Sequence, residues 1–362
     1  MKLLHVITNL QMGGAEKLMT LLLPKLKNMG IDVEILLLDG TDTPICQELR
    51  NSGIILHSLG TITNVYHPLY LFRLIKFLGK NHYDVVHTHN TAPQLFTAIA
   101  HLFNKKYKLF TTEHSTSNRR RGKKWFVPID RWMYKQYDGV ICISDQAEAN
   151  LRAHLQKGFT NIVTVYNGVD IQKIENSKAD PSLKTTLNKF IVSMVARMVD
   201  AKDQDTLIKA IAQLPKEDFE LWLVGDGPRR SLLEQLVKEL HVENNVKFWG
   251  VRSDVPVILK TSDIIVMSSH YEGLSLSNIE GMAAGKPFVA SNVDGIREVT
   301  EGAGILFEHQ DNKGLASILL ELKHNPELYQ STIRSCTARA QKYDIAIMAQ
   351  RYVDLYKASL RQ

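Results

Sequence analysis

Glu272 and Glu280 are separated by seven residues in the stretch Ser268-Ser-His-Tyr-Glu-Gly-Leu-Ser-Leu-Ser-Asn-Ile-Glu-Gly-Met-Ala-Ala-Gly285. An apolar run, Ile264 to Met267, precedes it, and Leu276, Ile279, Met282 and Ala283 follow at helical spacing, so it reads as strand, loop and helix start. A helix start attracts phosphate through its free backbone N–H groups and dipole, and Gly273 lets the main chain come close. Carboxylates repel a diphosphate and accept from hydroxyls, which suits a sugar beside Glu272 and a ribose beside Glu280. Either glutamate alone could equally be a capping acid or a solvated helix position.

Two cations sit in a comparable loop. Arg197 and Lys202 follow the apolar strand ending at Val195, and at that spacing they can reach both phosphates of a diphosphate and neutralise charge on a leaving group. Asp203-Gln-Asp205 comes next. An Asp-x-Asp can hold a divalent metal, but here it opens a helix and directly follows Lys202, so we read both acids as caps and dipole partners and expect no metal. Gly225-Asp-Gly227-Pro228 ends another strand and is expected to start a helix at Pro228.

In the first half, Gly13-Gly14 follows the first strand and opens a helix. Residues 9 to 14 read Asn-Leu-Gln-Met-Gly-Gly, which lacks the dinucleotide fingerprint, so no nicotinamide cofactor is expected. The pair could admit a diphosphate or an acceptor close to the backbone, or simply form a tight turn. His87 and His89 end one strand on the same face, and His114 ends the next; no third ligand stands at a recognisable metal spacing. His89 reads as core or acceptor-facing.

Taken together, the pattern from Glu272 and Glu280 through Gly281-Met-Ala-Ala-Gly-Lys-Pro-Phe-Val-Ala-Ser291 and Gly295-Ile-Arg-Glu-Val299 resembles the retaining glycosyltransferases of family four. That signature is Glu, seven residues, Glu, a small-residue helix, Gly, Pro and a buried strand. The resemblance implies an α/β protein with two facing Rossmann-like domains, the glycosyltransferase B fold, with the donor held mainly by the second domain and the acceptor by the first. It implies a catalytic set of Arg197, Lys202, Glu272 and His114, the histidine holding the transferred sugar rather than acting as a nucleophile. For the donor it implies Glu280, Gly13, Gly14, Gly225, Gly227, Val251, Gly273, Leu274 and Ser275. In relatives the main chain at Trp249-Gly250-Val251 holds the base, and UDP is a family-level expectation. The implied mechanism is metal-independent front-face displacement with no cofactor. Two rivals stay open: a non-hydrolysing sugar-nucleotide epimerase, and a catalytically silent nucleotide-sugar binder.

The elements that would position these residues alternate along the chain. Strand patterns occur at Leu3 to Thr8, Val33 to Leu38, Asp84 to His87, Lys108 to Glu113 and Gly139 to Ile143, with helices between, which argues for a parallel sheet covered on both faces. A turn at Asn167-Gly168 marks a break, and Ile171 to Lys189 reads as a connection. Alternation then restarts at Phe190. We expect an acceptor-side domain over 1–168 and a nucleotide-sugar domain over 169–344. The resemblance implies that the last helix, 345–362, packs back on the first domain, through Ile347, Met348, Tyr352 and Leu355.

Composition bounds the rest. A chain of 362 residues is too long for one ordinary core, and 44% hydrophobic with 23% charged residues is the profile of a globular protein. No apolar run reaches bilayer length and no cleavage site follows the start, so the expectation is a cytoplasmic protein. Cys46, Cys142 and Cys336 suit neither disulfides nor zinc. The net charge of +6 is uneven: residues 101 to 140 alone carry +7, so the remainder nets −1. The run Arg119-Arg-Arg-Gly-Lys-Lys-Trp-Phe126 mixes cations with aromatics, as anionic headgroups require, and 119–126 is our candidate for peripheral contact with the inner face of a membrane. Nucleic acid is not expected, since no such motif accompanies it, and a solvated loop is the plain alternative. The expected partners are a nucleotide-sugar donor and a saccharide or polyprenyl-linked acceptor.

Overall fold

The computed structural model describes residues 1–11, 13–115, 123–156, 158–184, 188–272 and 275–361. The chain divides into two compact units, one of residues 1–168 with 345–362, the other of residues 169–344. Each is built on a parallel sheet. In the first unit the strands are β1 Lys2–Ile7, β2 Asp32–Leu37, β3 Ile55–Ser58, β4 Val85–His89, β5 Lys108–Glu113, β6 Gly139–Cys142 and β7 Ile162–Thr164, in the spatial order β3-β2-β1-β4-β5-β6-β7. In the second they are β8 Phe190–Val195, β9 Phe219–Val224, β10 Val246–Gly250, β11 Ile264–Met267, β12 Phe288–Ser291 and β13 Ile305–Phe307, in the order β10-β9-β8-β11-β12-β13. These are two Rossmann-like domains.

The central strands are buried on both faces, which is why they read as apolar runs rather than alternating ones: every residue of β9, β11 and β12 is buried. The strand order reverses between β1 and β4 in one sheet and between β8 and β11 in the other. At such a switch point the loops leaving the two strands run in opposite directions and open a crevice beyond the carboxyl ends. The loops after β1, β4, β8 and β11 therefore carry the positions with most room for a ligand.

The last helix, Ile345–Leu360, belongs to the first unit. Tyr352 and Tyr356 are fully buried, each burial being worth about 2 kcal/mol on apolar area alone. The face that docks is Met348, Tyr352 and Tyr356; Ile347, expected on it, is 47% exposed. It lies one residue before Met348, about 100° around the helix from the docked face. The segment after the break is also more ordered than a connection. Ile171–Asn176 is a helix capped by Asp170, whose side chain accepts from Lys173 N, and it buries Ile171 and Ile174. The short length of that helix hides its periodicity. Pro228 does not start a helix: the helix runs Arg230–Glu239, with Pro228 in the turn before it. The three cysteines are buried and outside any disulfide, and among the described residues no helix is long and apolar enough to cross a membrane.

Candidate active site

The loop after β8 carries both predicted cations. Arg197 is exposed, and among the described residues its guanidinium has neither a hydrogen bond nor an ion pair. Its carbonyl accepts from Gln204 Nε2 at 3.0 Å, which fixes the backbone while leaving the side chain free. Lys202 closes a single turn, Asp200–Lys202, and its side chain is only 18% exposed. Burial lowers its pKa to about 8.

The loop after β11 brings Glu272 onto that ammonium. Lys202 Nζ donates to Glu272 Oε1, and Ser269 Oγ donates to the same oxygen at 3.1 Å. Further bonds sew the two loops together: His270 N donates to Ala201 O at 2.9 Å and Ser268 Oγ to Asp203 O at 2.7 Å. Ser275 stands at the start of the helix Leu276–Ala283 without capping it through its side chain. Glu280 lies half-buried in the second turn of that helix. Gly273 and Leu274 lie outside the described residues.

The loops after β9 and β10 support this pair. Gly225 has a φ of +133°, and a Cβ there would meet Ala196 O at 2.1 Å; at Gly227 it would meet Met198 O at 2.3 Å. Both glycines are thus required by the packing of their loop on the one that carries Arg197. Val251 follows β10 and is 61% exposed. The Asp-x-Asp divides its work. Asp203 caps the helix Gln204–Ile211, accepting from Thr206 N at 3.3 Å and Thr206 Oγ1 at 2.7 Å. Asp205 is not a cap: its carboxylate takes a two-pronged bond from Arg229, at 2.7 and 3.1 Å. Arg229 lies 24 residues on, beyond β9, and local spacing gives no sign of it.

In the first unit, β1, β4 and β5 lie side by side and collect four histidines. His5, His87 and His89 are fully buried and stacked, with His87 and His89 centroids 4.6 Å apart. His87 is bonded on both ring nitrogens, to Tyr356 OH at 2.5 Å and Thr112 Oγ1 at 2.7 Å. The other three form a chain: His5 Nδ1 lies 2.8 Å from His89 Nε2, and His89 Nδ1 lies 2.8 Å from His114 Nε2. His5 Nε2 is buried with no partner among the described residues. A buried N–H without an acceptor is rarer than an unused lone pair, so the proton belongs on Nδ1. His5 then donates to His89, His89 to His114, and His114 keeps its own proton on Nδ1. The ring at the strand end is thereby fixed as a hydrogen-bond donor. Burial lowers the pKa of all four, that of His5 to about 3, with the neighbouring imidazoles adding to the effect at His5, His87 and His89.

Sequence reasoning missed His5. Its signal was positional, since β1 neighbours β4 only through the sheet order. Gly13 and Gly14 begin the helix Gly14–Asn28 and are exposed; a Cβ at Gly14 would meet nothing within 4 Å. Of the basic run, residues 119–122 lie outside the described residues. Beyond them Trp125 stacks on Phe126 and is 64% exposed, with Ile129 and Trp132 also exposed.

Comparison with known proteins gives this geometry a setting. Residues 12–173 match the model described as Glycosyltransferase Family 4, and residues 175–339 match Glycosyl transferases group 1. The chain is similar to the N-acetyl-alpha-D-glucosaminyl L-malate synthase of Bacillus anthracis, at 29% identity over 72% of this chain and 70% of that one. It is also similar to the UDP-Gal:alpha-D-GlcNAc-diphosphoundecaprenol alpha-1,3-galactosyltransferase of Escherichia coli, at 25% identity over 79% of this chain and 78% of that one. Among solved structures, Anabaena Alr3699/HepE in complex with UDP superimposes with a TM-score of 0.86 at 22% identity, covering 99% of this chain and all of the other.

Proposed function

Since this chain belongs to the family 4, group 1 glycosyltransferases, we propose that it moves a sugar, with retention of configuration, from a UDP-linked donor to a saccharide or lipid-linked saccharide acceptor in surface polysaccharide or glycolipid synthesis. The observation that carries this reading is the meeting of Lys202 and Glu272 from loops after the neighbouring strands β8 and β11, with Arg197 on the same loop as Lys202. Both relatives above are named for alpha-linked sugars, as retention from an alpha-linked donor requires.

In this reading the donor diphosphate takes the place of Glu272 on the Lys202 ammonium, and the free guanidinium of Arg197 meets its other face. The released carboxylate of Glu272 then accepts from hydroxyls of the sugar. The bond between the anomeric carbon and the phosphate oxygen breaks as the acceptor oxygen bonds the same face. The acceptor hydroxyl gives its proton to the departing phosphate oxygen. Charge that peaks on that oxygen is stabilised by cations already in place, which is where fixed donors contribute most. His114 offers its Nδ1–H to the transferred sugar, Glu280 accepts from the ribose, the helix start at Ser275 takes a phosphate, and the main chain at Val251 takes the base.

The acceptor reading rests on relatives that differ, one named for L-malate and one for a diphosphoundecaprenol-linked saccharide. Exposed Trp125, Ile129 and Trp132 beside the basic run suit the second, because indoles favour the interface where a lipid-linked acceptor resides. One experiment sorts the readings: a panel of UDP-, GDP- and ADP-sugars is incubated with L-malate, with a polyprenyl diphosphate saccharide, or alone. Nucleotide release that needs an acceptor, with an alpha product, supports transfer. A new epimer without acceptor supports the epimerase, and tight binding without turnover the silent binder.

A further inference from the structure

The geometry points to a binding site for one divalent transition-metal ion of zinc's class, formed by Asp203, His270 and His309 in the second unit. The three come from loops after β8, β11 and β13, at the carboxyl end of one sheet. One ligand atom of each, a carboxylate oxygen and two imidazole nitrogens, lies within 4.8 Å of the other two. His270 Nδ1 is 2.8 Å from His309 Nε2 and 3.5 Å from Asp203 Oδ2. Ligands about 2.0 to 2.1 Å from a tetrahedral ion stand about 3.3 Å from one another; the 3.5 Å spacing is close to such an edge, and the 2.8 Å hydrogen bond has to open by about 0.5 Å to admit the ion.

The chemistry of the donors argues the same way. A single hydrogen on His270 Nδ1 can serve His309 Nε2 or Asp203 Oδ2 but not both, so the three atoms are not all satisfied by hydrogen bonding among themselves. A cation satisfies all three at once. Two imidazoles and a carboxylate select zinc, cobalt or nickel over magnesium, which prefers oxygen. Asp203 is oriented from behind by Thr206, whose hydroxyl donates to Oδ2 at 2.7 Å, and a ligand held in this way loses little freedom on binding. His309 is exposed and His270 partly so, which gives the ion a route in and leaves a fourth position to water.

An ion here adds a further tie among three loops, two of which already share the bond from His270 N to Ala201 O. Asp203 directly follows Lys202, and His270 lies two residues before Glu272, so the ion would tie together the loops that carry this pair. The role is structural and does not depend on which reaction the chain performs.

The test uses the full chain, stripped with chelator and titrated with zinc and with cobalt. One equivalent is expected by elemental analysis, with the strong visible absorption of four-coordinate cobalt and a rise in melting temperature on zinc. His309→Ala and His270→Ala should each weaken zinc by at least about 10-fold and remove the cobalt band, while His309→Cys should keep both. His309 is exposed, so its variants should fold, which circular dichroism checks. No stoichiometric binding, or binding of unchanged affinity in His309→Ala, overturns the proposal and would leave a hydrogen-bonded pair of histidines in its place.

Discussion

Lys202 donates to the carboxylate of Glu272 across seventy residues of sequence, and Ser269 supports the same oxygen. The two groups expected to divide the donor between them, one on phosphate and one on sugar, therefore hold each other. Arg197, on the same loop as Lys202, is held by nothing among the described side chains.

That asymmetry separates two variants. Arg197→Ala and Lys202→Ala should each lower turnover by about 100- to 1000-fold, the usual cost of losing one donor to a developing anion. Arg197→Ala should leave stability within about 0.5 kcal/mol, whereas Lys202→Ala strands a half-buried carboxylate and should cost about 1 to 3 kcal/mol. Steady-state kinetics with chemical denaturation checks both; a folded double variant with near-normal turnover would refute the assignment.

Glu280→Gln should weaken UDP by roughly 1.5 to 3 kcal/mol, the worth of hydrogen bonds from ribose hydroxyls to a charged acceptor. Glu272→Gln should leave UDP binding intact or tighter, because Lys202 loses its competing anion, and should act on sugar turnover instead. Equal losses in calorimetry with free UDP would contradict this division.

Acid should destabilise the first unit before ordinary carboxylates titrate. His5, His87, His89 and His114 all have folded pKa values below the usual 6.5, that of His5 about 3. The unfolded chain binds more protons in this window, so stability is full above about pH 6.5 and falls as pH drops toward the folded values. Each group contributes about 1.4 kcal/mol per pH unit. Urea unfolding of this unit between pH 7 and 5 should show the loss; a flat profile would mean that these imidazoles are not buried neutral.

Catalysis should survive excess chelator at temperatures well below melting, because Arg197 and Lys202 supply the positive charge on the leaving group. The melting temperature should fall if zinc is removed. Activity lost in chelator and restored by magnesium or manganese would instead make a hard metal part of the reaction. Asp205→Asn, as the loss of one charge from the Arg229 pair rather than of a cap, should cost about 1 kcal/mol, since Asp200 remains 3.2 Å from Arg229.

The fold was legible because buried parallel strands write continuous apolar runs, and the pair Glu272 and Glu280 was legible because both lie on one loop and helix. Short elements were not: β3 has four residues and β13 three, too few for a period, and both are only partly buried. The contacts between loops were not legible either. Lys202 with Glu272 and His5 with His89 each join segments that are neighbours only through sheet order, which skips from β1 to β4 and from β8 to β11, and His270 with His309 joins loops of strands that have β12 between them. Asp205 was misread for the same reason, since its partner Arg229 follows another strand.

The helix Ile345–Leu360 fills the first unit with Tyr356 bonded to His87, a residue made 269 positions earlier. During synthesis the ribosome must therefore finish the second unit before it releases the piece that completes the first. Until then β4 and β5 present His87 and Thr112 without the tyrosines that cover them. The second unit is contiguous in the chain and can fold as it emerges, so the N-terminal unit is the last to reach its native state, and a fragment ending at residue 168 would lack part of its own core.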